Sequence, residues 1–391
     1  MFVEASLSRR QYEIIRKTSK GLYLCYSILR KTRKDYYPEK ESSGILKPGQ
    51  RIPSTGKHTP LVFSGIQPTG IPHLGNYFGA IKNWVSLQNG GKKCVFSIVD
   101  LHSITLPQNP KDLRNNIHLT TACLLACGIN PDVCTFFLQS QVPHHTELAW
   151  ILGCLTTMAR LTHLPQYKEK MGSSTENVPL GLYIYPILQS ADILMYKATE
   201  VPVGEDQLQH IQLSQHLAKL FNNRYGKIFP VPNAIVDENC ARIKSLRHPE
   251  KKMSKSDYNV RSRINLTDSS DDILKKIKRA VTDFTSEVTY DAEQRPGVSN
   301  LILMHSLCTG KSFESICKES HNLDTSQYKL IVAEAIIEYL KPIQTEFQRL
   351  MAEPSHIIQI LEKGSDNASK VAQKTIQEVK KLVGLSHLGG R

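Results

Sequence analysis

Three short apolar runs, separated by stretches with helical spacing, restrict what this chain can fold into more than any other feature. Leu61-Val62-Phe63 runs into Gly65 and Pro68-Thr69-Gly70, and a helical pattern from near Gly75 then carries Phe78, Ile81, Trp84 and Val85 on one face. Cys94 to Val99 is a second buried-strand candidate, ending on the polar Asp100 and His102. Lys111 to Ala126 reads as a helix and Thr135 to Leu138 as a third strand. Strands alternating with helices at this spacing require crossover connections, which predicts a parallel α/β sheet. After about residue 258 strand signals nearly vanish. Ser270-Asp271-Asp272 can start a helix through Lys276 to Ala280, with acids near its start and bases near its end. Apolar residues then recur at helical spacing through Leu301 to Leu307, Tyr328 to Leu340, Ile357 to Leu361 and Ala368 to Leu382.

The chain is expected to divide into a basic leader over 1–60, an α/β catalytic domain over 61–258 and an α-helical domain over 259–391. Of its 391 residues, the first 60 hold 13 Lys/Arg against 5 Asp/Glu, while the rest hold 36 against 31, so much of the net +13 sits in the leader. Its first ~30 residues mix Arg and Lys with Leu, Ile, Tyr and Ser and contain only Glu4 and Glu13, a composition that fits a mitochondrial transit peptide. A disordered basic arm that helps hold RNA is the other reading. Residues 44–60, rich in Pro, Gly and Ser, read as a linker. No apolar run approaches the ~20 residues that span a bilayer. The nine cysteines form no C-x-x-C and no zinc-ligand spacing, and several lie in apolar contexts where Cys packs as a small core residue. Structural thiols in a reduced compartment, and no protein-held metal, are the expectation.

Two separated segments carry nucleotide chemistry. In Phe63-Ser64-Gly65-Ile66-Gln67-Pro68-Thr69-Gly70-Ile71-Pro72-His73-Leu74-Gly75-Asn76 a strand feeds a Gly/Pro loop and then a helix, whose first N–H groups face outward and can receive phosphate. In Lys251-Lys252-Met253-Ser254-Lys255-Ser256, Lys252 and Lys255 put two ammonium groups three residues apart, suited to neutralising a departing pyrophosphate. Taken singly, the first has many structural uses and the second is more often a solvated surface run.

Together they resemble the HIGH and KMSKS signatures of the class I aminoacyl-tRNA synthetases, with Leu74 and Asn76 as variants in the first. From Leu61 to the C-terminus the chain is similar to the tryptophanyl-tRNA synthetases of bacterial and organellar type. The likeness rests on F-S-G-I-Q-P-T-G, I-V-D-L-H-S-I-T (98–105), V-P-V-G-E-D-Q (201–207), P-E-K-K-M-S-K-S-D (249–257), A-V-T-D-F (280–284) and P-G-V-S-N (296–300). The resemblance implies a Rossmann-type sheet followed by a helical anticodon-binding domain, ATP as co-substrate with Mg²⁺ on its triphosphate, and tRNA(Trp) as partner. It also implies a homodimer, and the closeness to animal mitochondrial members implies the mitochondrial matrix. No protein nucleophile is needed, because the amino acid's own carboxylate attacks the α-phosphate; alignment and charge neutralisation remain as the catalytic tasks.

By the same resemblance His73, Asn76, Lys252, Lys255 and Lys170 serve catalysis, with Lys168 a weaker candidate beside Lys170. ATP would be held by Gln67, Pro68, Thr69, Gly75, Asn76, Gly204, Glu205, Asp206 and Ile243, and by Lys252, Met253, Ser254, Lys255 and Ser256. Phe63, His102, Tyr185, Ile193 and Gln207 would line the amino-acid pocket, and Asp192 would accept the indole N–H. Asp192 lies inside the apolar stretch Ile187 to Leu194, where a lone carboxylate is costly unless partnered. It either faces solvent, or caps something local, or awaits a ligand donor. In the basic stretches Lys275-Lys276-Ile277-Lys278-Arg279 and Lys380-Lys381 the cations suit phosphate contacts, or only solubility. A tyrosyl enzyme, an adenylate-forming nucleotidyltransferase and a non-catalytic RNA-binding paralogue are the competing classes.

Overall fold

The computed structural model describes residues 59–164, 179–236, 242–255 and 257–385, all within one unit, Arg51–Arg391. Residues 1–58 of the leader, Lys168, Lys170 and Ser256 lie outside the described residues.

Five parallel strands form the centre: β1 (Val62–Ile66), β2 (Cys94–Ile98), β3 (Thr135–Leu138), β4 (Glu200–Pro202) and β5 (Asn233–Ile235), in the order β3-β2-β1-β4-β5. β1 and β2 pair in register from Val62↔Cys94 to Ile66↔Ile98. The sheet is covered on both faces, which is why β2 reads as a continuous apolar run and not as an alternation. Val62, Phe96 and Phe136 point to one apolar cluster, and Phe63, Val95 and Phe137 to the other. β4 and β5 escaped the sequence reading: three residues are too few to show a period.

The chain leaves β1 through a loop into helix α1 (residues 74–89), whose second turn, Tyr77–Ile81, has π-helical hydrogen bonding. The short α2 (Asp100–Ser103) follows β2, and α3 (Pro110–Ala126) leads to β3. Asn109 caps α3 by accepting from Lys111 N and Asp112 N, ahead of Pro110. Between β3 and β4 come α4 (His144–Gly153), α5 (Met158–Thr162) and α6 (Leu180–Met195); α7 (Leu208–Tyr225) joins β4 to β5.

Beyond residue 258 the named elements are all helical among the described residues: a 3-10 turn (Val260–Ser262), α8 (Ser270–Lys278), α9 (Pro296–Thr309), α10 (Phe313–Glu319), α11 (Thr325–Ala352) and α12 (Pro354–Val383). Ser269 caps α8, and Asp324 with Gln327 forms a capping box on α11. The two apolar stretches at Ile357–Leu361 and Ala368–Leu382 fuse into the single helix α12. That helix crosses the β3 edge of the sheet: Ile357 and Leu361 belong to one cluster, Ala368, Ala372 and Ile376 to the other. At the crossing, Leu138 N donates to Ser365 Oγ (3.4 Å), and Ser365 Oγ donates to Gln141 Oε1 (2.6 Å). The described cysteines are free, with Cys94, Cys123, Cys127 and Cys134 buried. No helix of the described residues is long and apolar enough to cross a membrane.

Candidate active site

In the order β3-β2-β1-β4-β5 the connectivity reverses between β1 and β4, and open sheets of this kind take ligands outside the carboxyl ends of such strands. A cavity of about 1070 Å³ lies there. Its wall includes all six residues expected around the amino acid, Phe63, His102, Tyr185, Asp192, Ile193 and Gln207, together with Gln67, Thr69, Gly204, Asp206 and Lys252 of the nucleotide set. Tyr185, Gln189, Asp192 and Ile193 reach it from one face of α6, spaced as helical neighbours are. Pro68, His73, Gly75, Asn76, Ile243, Met253, Ser254 and Lys255 lie outside the wall.

The segment entering α1 is stitched in from below. Leu74 N donates to Ile264 O, and Leu266 N donates to Pro72 O (both 2.9 Å). His73 is 2% exposed and caps the helix: its Nδ1 accepts from Asn76 N (3.2 Å), while Asn76 Oδ1 accepts from His73 N (3.1 Å). Burial, helped by the charges of Lys255, Arg263 and Lys252, lowers the His73 imidazole to about 3, so the ring is neutral. With Nδ1 used as an acceptor, the proton sits on Nε2, which is left as a donor. Gly75 is required by a close approach: a Cβ there would stand 3.0 Å from two atoms of the His73 ring.

Lys252 and Lys255 differ. Lys252 is exposed on the cavity wall, held by the bridge Lys244↔Lys252 and flanked by the bond from Met253 N to Ile243 O (3.0 Å). Met253 and Ile243 are 2% and 1% exposed, so both are packed into the core beneath Lys252 and not presented on the cavity wall. Lys255 Nζ donates to Gly70 O (3.2 Å), tying the second motif to the Gly/Pro loop of the first. Burial pushes its ammonium down to about 8. Gly204 and Asp206 sit just past β4, where Gln207 Nε2 donates to Asp206 Oδ2 (2.7 Å) and Gln207 Oε1 accepts from His210 Nδ1 (2.9 Å).

The structure corrects one premise about Asp192. It is 2% exposed but not bare. Oδ1 accepts from Gln139 Nε2 (2.8 Å) and His145 Nδ1 (2.6 Å), and Oδ2 accepts from Gln139 Nε2 (2.9 Å) and His102 Nε2 (2.8 Å). Burial works to raise this carboxyl, yet the hydrogen bonds from His102 and His145 outweigh it and hold the group well below the usual carboxylate range. Asp192 therefore neither faces solvent nor stands unpaired in wait for a donor.

Gln139, His145 and Tyr196 were missed by sequence reasoning. Gln139 and His145 are wholly buried polar residues beside apolar runs, and that contrast was the available signal. Arg242 and Lys244 also line the cavity, adding cations near Lys252 that no motif marks. Among the outer cations, Lys276 is committed to Asp268 and Lys380 to Glu147, whereas Lys275, Lys278, Arg279 and Lys381 are exposed.

Comparison with known proteins bears on the family of the chain. The family model for class I tRNA synthetases of the W and Y type matches residues 55–341. The tryptophan–tRNA ligase of Rickettsia conorii is 46% identical over 324 residues, 83% of this chain and 98% of that protein. The mitochondrial tryptophan–tRNA ligase of Caenorhabditis elegans is 44% identical over 340 residues, 85% and 94% of the two chains. The crystal structure of tryptophanyl-tRNA synthetase from Campylobacter jejuni, complexed with ADP and tryptophan, superposes with a TM-score of 0.73 at 33% identity, covering 83% of this chain and all of that one.

Proposed function

The chain belongs to the class I tRNA synthetases of the tryptophan and tyrosine group and is a tryptophan–tRNA ligase; from that premise we propose how its cavity performs the reaction, and where. Tryptophan lies against Phe63, Tyr185, Ile193 and Gln207 with its indole N–H directed to Asp192, and ATP lies along Gln67, Thr69, Gly204 and Asp206. The observation that carries this reading is a cavity at the β1/β4 switch point whose wall holds the six amino-acid-pocket residues together with Gln67, Thr69, Gly204, Asp206 and Lys252. The carboxylate oxygen of tryptophan bonds to the α-phosphorus as the bond from that phosphorus to the bridging oxygen breaks, giving tryptophanyl-adenylate and pyrophosphate. A hydroxyl of the tRNA's terminal ribose then attacks the acyl carbon, and AMP leaves.

For the first step the protein supplies position and charge. Neutral His73 offers its Nε2–H to a phosphate oxygen, and Lys252 and Lys255 offset the charge that gathers on the pyrophosphate. Lys170, outside the described residues, would add to this. Among the described residues no group of three or more His, Cys, Asp or Glu can hold a metal. Mg²⁺ carried by the triphosphate would supply charge neutralisation there. ATP–pyrophosphate exchange across a panel of amino acids tests the assignment: exchange is expected with tryptophan, and exchange with tyrosine alone would overturn it.

The helical region 259–391 is proposed to receive the anticodon arm of tRNA(Trp), with exposed Lys275, Lys278, Arg279 and Lys381 contacting phosphates. Binding should weaken steeply with salt, and a flat salt dependence would refute the contact. A homodimer is supported by large apolar side chains left exposed on helices that pack together, Trp150 (76%) on α4, Met158 (66%) on α5 and Leu180 (68%) on α6. Light scattering should give twice the chain mass. The basic leader, together with the mitochondrial relative, supports action in the mitochondrial matrix. Residues 1–60 fused to a fluorescent protein should carry it into mitochondria; a cytosolic signal would count against the address.

A further inference from the structure

The hydrogen-bond shell of Asp192 is complete without a substrate, and its members differ in how firmly they are held. A carboxylate presents about four lone-pair positions. Gln139 Nε2 takes one on each oxygen (2.8 and 2.9 Å), His145 Nδ1 the second on Oδ1 and His102 Nε2 the second on Oδ2. Nothing is left open for a further N–H. Of these three donors, only His102 belongs to the cavity wall. His145 and Gln139 are both 0% exposed.

The two buried donors are fixed from behind. His145 Nε2 is hydrogen-bonded to the Tyr196 hydroxyl (2.8 Å). The Tyr196 ring is in turn stacked on Phe63 (5.8 Å between centroids, 11° between planes) and meets Phe137 edge-on at 5.5 Å. Gln139 Oε1 accepts from Leu101 N (3.1 Å), which ties its amide to α2. His102 is the one donor whose other neighbours are on the cavity side, with Tyr185 edge-on at 6.2 Å.

Resting on the reading of Asp192 as the acceptor of the indole N–H, we propose that its shell has a fixed half and an exchangeable half. His145, anchored by Tyr196, together with Gln139 is a positioning pair that sets the plane of the carboxylate, and His102 is the donor that the substrate's N–H displaces. Binding is then an exchange of one N–H for another, accompanied by burial of the ring, and the carboxylate is bare in neither state. Selectivity follows from the plane. A phenol hydroxyl is also a donor, so a carboxylate alone does not separate tryptophan from tyrosine. A carboxylate whose orientation is set by His145 and Gln139 accepts only a donor arriving along one direction.

The test uses the full chain in ATP–pyrophosphate exchange, reading KM for tryptophan and for ATP separately. His145→Asn keeps a nitrogen where Nδ1 stands and loses the link to Tyr196. His145→Gln keeps one where Nε2 stands and loses the bond to Asp192. His145→Gln should raise the tryptophan KM about 10- to 100-fold, the loss of one hydrogen bond to a charged group, with the ATP KM nearly unchanged. His145→Asn should recover most of that loss. Tyr196→Phe, which removes one oxygen, should raise the tryptophan KM about 3-fold or more. Equal damage from Asn and Gln, parallel rises in both KM values, or an unaffected Tyr196→Phe would each overturn the inference.

A crystal structure with tryptophan bound should show His145 and Gln139 still on Asp192 and His102 moved beyond hydrogen-bond distance. Displacement of His145 or Gln139 instead would also overturn it. Asp192→Ala separates the two layers of the argument. If that variant selectively raises the tryptophan KM while His145→Gln does not, the positioning inference fails and the role of Asp192 stands. If Asp192→Ala moves both KM values equally, the role of Asp192 fails first.

Discussion

Gly364→Ala sets two opposite effects against each other, and the structure says which prevails. Gly364 lies inside α12, where alanine is the better helix former by about 0.8–1.0 kcal/mol, so on a free helix the change would stabilise. Here α12 crosses the edge of β3. A Cβ on residue 364 would stand 1.7 Å from Phe136 O and 2.7 Å from its carbonyl carbon. Carbon–oxygen contacts settle near ~3.3–3.6 Å, so helix and strand must part by roughly 1.5–2 Å. That shift also strains the Ser365 Oγ bonds to Leu138 N and Gln141 Oε1. Overpacking of this kind costs about 1–3 kcal/mol, and each weakened hydrogen bond about 1 kcal/mol. Net destabilisation of about 2–4 kcal/mol follows, and with it a fall of roughly 4–8 °C in Tm. Differential scanning fluorimetry on the purified variant reads this directly. An unchanged or raised Tm would mean that propensity had won and that the contact at Phe136 has slack, which would refute the reasoning.

Three further outcomes are expected. Asp192→Ala should raise the tryptophan KM far more than the ATP KM in pyrophosphate exchange, and equal effects would remove its substrate-reading role. His73→Gln places a nitrogen near the Nε2 position whereas His73→Asn places it near Nδ1, so Gln should retain more of the adenylate-forming rate; the reverse order would show that the cap, not the Nε2–H, is what catalysis uses. Lys255, with its ammonium pushed down to about 8, loses its charge as pH rises through that value. The kcat/KM for ATP should therefore decline above about pH 8 in the wild type and hold level in Lys255→Arg, which stays charged; an identical decline in both would assign the limb to another group.

Sequence disclosed the sheet and the nucleotide loop better than the chemistry behind the substrate pocket, for reasons that lie in the residues. β1, β2 and β3 each carry a short apolar run, Val62-Phe63, Cys94-Val95-Phe96 and Phe136-Phe137-Leu138, long enough to show in the sequence. β4 and β5, three residues each, owe their strand form to pairing with β1 and with one another. The π-helical turn over Tyr77–Ile81 leaves no mark on the apolar period that located α1. His73, Lys252 and Lys255 were legible because the chemistry confines them to short motifs. Gln139 and His145 lie about 50 residues before Asp192 and meet it only in the fold, while Tyr196, at the end of the helix that carries Asp192, bears on it through His145. Each alone passes for an ordinary polar residue at the edge of an apolar segment. Lys276 and Lys380 show the converse: they look available in the sequence and are spent on Asp268 and Glu147.

The crossing of α12 over β3 has a consequence for the order of events during synthesis. β3 is an edge strand, and an open edge is a template on which another chain can add itself. Gly364 and Ser365 close that edge, yet they lie more than 220 residues after Leu138 in the chain. A ribosome adding about 5–20 residues per second needs ~10 s or longer to bridge that interval. Through that time the sheet can form while its flank is uncovered. The nascent chain must wait for its last helix before it is safe from its neighbours, and a truncation just before Pro354 would fix it permanently in that exposed state.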